Sequence, residues 1–225
     1  MKKNNAMRKY AIILSMLFVF IGNSNAQESD SRAVNLLNEV AEEIKNYNGF
    51  HIEFTFGIDN LRDSTKQFYN GEIWFKDKAY KLDMMGSVIH SDGKTTNWVY
   101  QEETQEVNIT PYNEEETSTF INPYRFLENF ETEYTCRFIS DKFVNNRPLV
   151  ELHLFPNDIE GSNYSRIKIK IDKAKKELYE FTFVGNEGVN YIITVNKLHA
   201  DKPVTTDMVK FNKEDYPDAE IIDMR

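Results

Sequence analysis

The spacing of apolar and polar positions changes once along the chain, from a helical period to a strand-like one. Apolar side chains recur every three or four residues from Arg32 to Tyr47, which predicts an amphipathic helix. Ser31 or Asp30 is the expected N-cap, and Asn48-Gly49 predicts a left-handed turn at the end of the helix. From Phe50 onward apolar and polar residues alternate, as is typical of antiparallel strands with one buried face.

About eleven strands follow, separated by turn signals of which Asp92-Gly93 is the strongest. An acidic loop and a short helix beginning at Asn122-Pro123 interrupt them within residues 111–132, and residues 207–211 predict a helical turn in the tail. A sheet of this length twists until it curls toward a barrel or splits into a sandwich, and the two helices are placed to cover the inside of an incompletely closed barrel. The predicted strands span residues 50–58, 66–76, 79–84, 87–91, 95–101, 106–110, 134–140, 148–155, 163–172, 177–184 and 189–198.

The first residues have the order of a secretory signal, with basic residues, an apolar run from Tyr10 to Gly22 and small residues ending at Ala26. The apolar run is shorter than the ~20 residues of a membrane-spanning helix, so we expect cleavage after Ala26 rather than a permanent anchor. Gln27 follows instead of cysteine, so we expect no lipid-modified N-terminus and a soluble mature protein. Residues 1–26 are therefore predicted to be a signal peptide, and residues 27–225 a single domain.

The net charge of the chain limits the classes of partner that it can bind. The whole chain has a formal charge of −9, and because four of its 27 Lys and Arg residues but no acidic residue lie in the signal, the mature chain carries −13. Such a protein repels phosphate backbones and anionic headgroups, which argues against nucleic acid as a partner and against membrane binding by charge alone. The single cysteine, Cys136, is expected to be a buried structural thiol. An exported chain without a disulfide framework indicates the periplasm of a Gram-negative bacterium.

Catalytic and metal-binding patterns are weak. The four histidines have no metal-ligand spacing, and His51, His90 and His153 are expected to be hydrogen-bonded or solvent-facing within strands. No nucleophile elbow, phosphate loop or dinucleotide fingerprint is present, and Asp92 to Thr95 is interpreted as a turn. The acidic run Glu114 to Glu116 is interpreted as a solvated loop rather than a calcium site. We expect no cofactor, no metal and no enzymatic activity, although a hydrolase with an acid/base pair among the many carboxylates stays a third alternative.

Several strands carry bulky apolar residues on both faces. Ile73, Trp74 and Phe75 are consecutive, as are the three residues from Trp98 to Tyr100. A one-sided sheet would have polar residues on its other face. Two interpretations stay open, a two-layer core and a sheet whose inner face lines an apolar ligand cavity.

Four segments in this order resemble the LolA-like outer-membrane lipoprotein carriers, and the likeness covers nearly the whole mature chain. They are FHIEFTF, NGEIWFKDKAYKLDM, SDGKTTNWVY and the ending KFNKEDYPDAEIIDMR, of which the last is similar to the variant found in Bacteroidetes-type bacteria. The resemblance implies an α+β fold, an unclosed antiparallel half-barrel with helices covering its concave face. It also implies a carrier that accepts lipoproteins from an inner-membrane ABC-type releasing complex and passes them to an outer-membrane receptor.

The resemblance also assigns the residues that would hold the acyl chains. The family's lid-latching arginine is missing, because Trp74-Phe75-Lys76 is followed by Asp77-Lys78. Lys78 or Arg125 would replace the latch, or apolar contacts alone would hold the lid. The implied cavity and lid residues are Phe50, Phe54, Phe56, Tyr80, Leu82, Met84, Trp98, Tyr100, Tyr124, Leu127 and Phe130.

The expected function is therefore that of a monomeric periplasmic carrier that shelters lipoprotein acyl chains. The principal alternative is an envelope sensor or general lipid-binding module on the same half-barrel, which would bind amphiphiles without delivering them. An anchored receptor is disfavoured because Gln27 stands where a lipidated cysteine would be needed.

Overall fold

The computed structural model describes residues 29–113, 126–200 and 202–225. The predicted signal peptide and the acidic run at residues 114–116 lie outside these ranges, as do Tyr124 and Arg125. The helices are α1 (Ser31–Lys45), α2 (Phe126–Glu133) and α3 (Thr206–Val209), with a 3₁₀ turn at Lys213–Asp215. The strands are β1 (Phe50–Asn60), β2 (Thr65–Lys76), β3 (Ala79–Met84), β4 (Ser87–Ser91), β5 (Thr96–Gln101), β6 (Glu106–Pro111), β7 (Tyr134–Val144), β8 (Arg147–Pro156), β9 (Tyr164–Asp172), β10 (Glu177–Gly185), β11 (Val189–His199) and β12 (Glu220–Asp223).

The strands form one sheet of 12 strands in the order β12-β6-β5-β4-β3-β2-β1-β11-β10-β9-β8-β7. The two ends of this order do not pair, so the predicted unclosed half-barrel is confirmed. All neighbours are antiparallel except β12 and β6, which run parallel. The sequence predicted the other eleven strands but not β12, because its four residues carry no clear alternation and its pairing depends on the tertiary fold. β1 lies in the middle of the sheet, between β2 and β11.

The start and end of α1 follow from local chemistry. The carboxylate of Asp30 accepts a hydrogen bond from the backbone N–H of Arg32 at 3.0 Å, which makes Asp30 the N-cap. The backbone N–H of Asp30 donates to the carbonyl of Cys136 at 2.8 Å and so fixes the helix start to β7. After α1, Gly49 has the predicted left-handed backbone with φ of +86°, and a Cβ there would lie 2.8 Å from the carbonyl oxygen of Phe75.

The concave face of the sheet packs against α1 and α2 and forms the hydrophobic core. Leu37 and Val40 of α1 are completely buried, as are Phe181 and Phe183 of β10. Cys136 is also fully buried, as predicted, and burial raises the pKa of its thiol to about 11. The thiol is therefore protonated at neutral pH and serves as a small apolar side chain in this core.

The convex face is polar in its centre and covered by the C-terminal segment (residues 204–225) over β3 to β6. The imidazole of His51 stacks between His199 at 4.8 Å and Trp74 at 4.6 Å, measured between ring centroids. His90 is buried under the C-terminal segment. The strand histidines were predicted to be hydrogen-bonded or solvent-facing, and all three are hydrogen-bonded: His51 bonds to Glu72, His153 to Glu151, and His90 to Val209 and Tyr216.

Candidate functional site

Two cavities open on the concave face, at opposite ends of β1. The first has a volume of about 530 Å³ and lies where the C-terminal half of α1, the helix α2 and the start of β1 meet. The apolar part of its wall comes from both helices and from the sheet. These residues are Ala41, Ile44 and Tyr47 with Phe50 and Phe75 beneath them and Leu127 and Phe130 above.

The second cavity has a volume of about 730 Å³ and lies at the far end of β1, against β9, β10 and β11. Four aromatic residues dominate its wall, Phe56, Tyr164, Phe183 and Tyr191. The hydroxyl groups of Tyr164 and Tyr134 are 2.7 Å apart, so each satisfies the other within an apolar wall. Between the cavities, Ile52 and Phe54 of β1 are buried in the core. The interior is thus packed in its centre and open at both ends.

Two buried tyrosines contact residues of the cavity walls, Tyr80 against Phe75 and Tyr134 against Tyr164. Burial is the main cause that raises the pKa of Tyr80 to about 12, and it also raises the pKa of Tyr134. Both phenols are therefore neutral. The charged residues of the first cavity, including Lys45, Asp77 and Glu131, are exposed and stand at its opening. Such a site is suited to an apolar ligand with a polar end that faces water.

Most of the predicted site residues lie on this concave face. Phe50, Leu127 and Phe130 line the first cavity, and Phe56 lines the second. The remaining four belong to the core between or beside the cavities: Phe54, Tyr80 and Leu82 are buried, and Met84 is partly buried against them. Tyr124 lies outside the described residues.

Trp98 and Tyr100 do not lie on the concave face, which corrects their assignment to the cavity wall. Directly opposed residues of antiparallel strands point to the same face. Leu82 pairs with Ile89, and Ile89 pairs with Val99, so Val99 faces the cavity side and its two neighbours face away. On the convex face Trp98 stacks on Phe211 at 5.7 Å between ring centroids, and Tyr100 contacts Tyr216 at 4.6 Å.

Sequence reasoning missed the wall supplied by the second half of the sheet. Tyr164, Phe183 and Tyr191 were predicted as strand residues but not as site residues, because the resembling segments contain none of them. A signal was present in the sequence, since each is an aromatic residue within a predicted strand and follows a polar residue.

The lid helix α2 is joined to α1 by a hydrogen bond that the sequence did not predict. Asn38 Nδ2 donates to Glu131 Oε1 at 2.8 Å. Of the two latch candidates, Lys78 is exposed in the β2–β3 turn and lines a pocket with Trp98 of the convex face rather than the cavity beside the lid. Arg125 lies outside the described residues. Apolar contacts of Leu127 and Phe130 with the core therefore provide most of the attachment of α2.

We expect Asn38→Ala to loosen α2 without unfolding the protein. Loss of one exposed hydrogen bond costs about 0.5–1.5 kcal/mol. Amide hydrogen exchange should quicken in residues 126–133 and stay unchanged in β8 to β10. Asn35→Ala, on the exposed side of the same helix, is the matched control. Equal exchange in both variants would show that the Asn38–Glu131 bond does not hold the lid.

Comparison with solved structures places the architecture among known folds. No family model matches the sequence, and no curated protein does. An uncharacterised conserved protein from Thermus thermophilus matches with a TM-score of 0.56 at 11% identity, over 84% of this chain and 98% of that one. LprF from Mycobacterium bovis matches with a TM-score of 0.50 at 10% identity, over 82% of this chain and 98% of that one. This chain shares their fold.

A LolA superfamily protein from Nitrosomonas europaea is also similar, with a TM-score of 0.42 at 11% identity over 80% of this chain and 97% of that one. Identities of 10–11% indicate a common architecture and leave the ligand to be inferred from the cavities. Within residues 29–113, 126–200 and 202–225, no helix has both the length and the apolarity needed to cross a bilayer.

Proposed function

We propose that this protein is a periplasmic carrier that binds the acyl chains of lipoproteins in its two concave cavities and moves them from the inner to the outer membrane. It would be the Bacteroidetes-type variant of the LolA-like carriers, exported by a cleaved signal peptide and working as a monomer without enzymatic activity. An inner-membrane ABC-type complex would load it and an outer-membrane receptor would unload it. The observation that carries the proposal is the pair of aromatic-walled cavities on one face of an unclosed sheet, the first of them beneath two helices.

The cavity sizes suit this cargo. Volumes of about 530 and 730 Å³ fall within the range of about 300–1,000 Å³ that is typical of small-molecule sites. Each methylene group buried in a membrane stabilises an acyl anchor by about 0.8 kcal/mol. A carrier therefore needs an apolar site that stabilises the acyl chain by a similar free energy. An acidic exterior around these walls keeps the loaded protein in solution.

A flexible site also fits chains of different length. Leu127 and Phe130 are attached to the core by non-directional apolar contacts, so α2 can shift without leaving buried polar groups unpaired. The loading step needs an external energy source, which the ABC-type partner would supply.

A cavity-blocking pair of variants tests the binding step. Ala41→Trp fills the first cavity and Val189→Trp the second, because both residues line them. We expect the double variant to lose at least about tenfold in affinity for a fluorescent fatty acid, which corresponds to about 1.4 kcal/mol. Asn35→Trp adds the same side chain to the exposed side of α1 and should bind like the parent protein.

Circular dichroism establishes that each variant is folded before binding is compared. Unchanged affinity in a folded double variant would exclude these cavities as the acyl site. Release of a radiolabelled lipoprotein from spheroplasts, followed by transfer to outer-membrane vesicles, then tests the transport step. Binding without transfer would favour the envelope sensor or general lipid-binding module instead.

A further inference from the structure

A third cavity, of about 410 Å³, lies on the convex side and has a different chemistry. It opens between the C-terminal segment and the turns that connect β2 to β3 and β4 to β5. Trp98 and Phe211 line it with their rings stacked at an interplanar angle of 7°. Four lysines surround these rings: Lys76, Lys78, Lys94 and Lys210. We call this site the lysine pocket.

The lysines are held together by the fold rather than scattered on a surface. Lys78 and Lys94 stand on two turns that touch, since a Cβ on Gly93 would lie 2.1 Å from the carbonyl oxygen of Lys78. Lys210 directly follows the buried Val209 of α3, which fixes its backbone at the opening. Lys76 is half-buried and donates a hydrogen bond to the side chain of Asn48.

Two aspartates also line the lysine pocket, so its formal charge is +2. Burial acts to raise the pKa of Asp92, but backbone N–H groups of Thr95, Thr96 and Lys94 and the Thr95 hydroxyl outweigh it and lower the pKa to about 2. The Asp92 carboxylate thus accepts four hydrogen bonds of 2.7–3.0 Å from its own turn, so its oxygens are directed toward the turn. A positive pocket on a chain of formal charge −9 favours an anionic ligand.

We propose that the lysine pocket docks an acidic segment of a partner protein, with one aromatic side chain of that segment seated against Trp98 and Phe211. The concave shape favours an inserted side chain over a flat bilayer surface. Stacked rings supply an apolar contact for an aromatic group, and the surrounding ammonium groups pair with carboxylates on either side of it. The lysine pocket meets the first concave cavity at Asp77, but its four lysines, Trp98 and Phe211 line neither concave cavity, so it would serve recognition of the partner and not binding of the acyl cargo.

A synthetic peptide with one phenylalanine flanked by glutamates is the probe, and fluorescence anisotropy is the measurement on the mature chain. We expect binding that weakens as salt rises, because the interacting charges are exposed. Lys78→Glu combined with Lys94→Glu should lower the affinity at least about tenfold. The matched control is Lys142→Glu with Lys175→Glu, which changes the net charge equally on β7 and the β9–β10 turn and should change the affinity less than about threefold.

Three further arms separate the explanations. A peptide with glutamine in place of glutamate should not bind, and one with alanine in place of phenylalanine should bind more weakly than the parent peptide. Fatty-acid affinity should be unchanged in the Lys78→Glu, Lys94→Glu variant, because neither lysine lines a concave cavity. The peptide assay does not depend on fatty-acid binding, so failure of the carrier proposal would leave the peptide result intact. The proposal is overturned if the parent protein does not bind the acidic peptide at low salt, or if the neutral peptide binds equally. Lysine-dependent binding to phosphatidylglycerol vesicles without peptide binding would assign the surface to a membrane instead.

Discussion

Phe181→Ala should lower the free energy of unfolding by about 3–5 kcal/mol, because it removes a large side chain from the centre of the core. Phe181 is completely buried and meets Phe126 of the lid helix edge to face, with ring centroids 5.6 Å apart. The change leaves a void that α1 and the sheet cannot close, since strand pairing fixes the sheet and the bond from Asp30 to Cys136 fixes the start of α1. Urea unfolding followed by circular dichroism measures the loss. Because Phe181 also supports α2, lid exchange should quicken in the same variant.

Phe143→Ala is the matched control for this prediction. Phe143 is 78% exposed near the end of β7, so its truncation should change the free energy of unfolding by less than about 0.5 kcal/mol. Similar losses in the two variants would mean that the concave face is not the principal core of the protein.

His90→Ala should cost about 2–4 kcal/mol and free the C-terminal segment from the convex face. His90 Nδ1–H donates to the carbonyl of Val209 at 2.9 Å, which leaves Nε2 to accept from the Tyr216 hydroxyl at 2.8 Å. Burial raises the pKa of Tyr216 to about 12, so its hydroxyl keeps the proton that it donates. Alanine at this position leaves the Val209 carbonyl and the Tyr216 hydroxyl without their hydrogen bonds to His90. Hydrogen exchange across residues 209–216 measures the release.

The same contact makes stability depend on pH. Burial is the main cause that lowers the pKa of His90 from its usual 6.5. Above pH 6.5 the imidazole is neutral in the folded and in the unfolded protein, so its protonation does not change the free energy of unfolding. As the pH falls through 6.5 the unfolded chain binds a proton first, so stability is lost progressively until the pH passes the folded pKa. His90→Gln keeps a donor but cannot titrate, and it should show a smaller loss between about pH 7.5 and about pH 5. An equal loss in both proteins would assign the dependence to other groups.

The regular elements could be predicted because their periods are strong and their turns are specific. Eleven strands and α1 follow from alternation, from Gly49 and from Asp92-Gly93, which need no tertiary information. β12 could not be predicted in the same way. Its four residues pair parallel with β6, and that partner is chosen by the path of the whole tail over the convex face.

The error at Trp98 and Tyr100 has a specific cause. Alternation shows that the two residues share a face but not which face it is. The turn at Met85-Gly86 determines which face it is. A two-residue hairpin pairs Ser87 with Met84, and this register sets the face to which the side chains of the next strands point. Trp98 and Tyr100 were assigned to the cavity from the family resemblance, without following this register through β4 and β5. Conversely, the lysine pocket was not predictable, because its four lysines come from three separate stretches of sequence.

The central position of β1 has a consequence for how the chain folds. The strands from β2 to β6 and from β7 to β11 form two local meanders, but β1 joins them by pairing His51 with His199 across most of the sequence. Closing so long a loop is slow, so we expect the two halves to form first and their union to limit the folding rate. Until β11 has been synthesised and has paired with β1, one edge of β1 has no native partner. The nascent chain is therefore most prone to aggregation at this edge, and holding factors would protect it there.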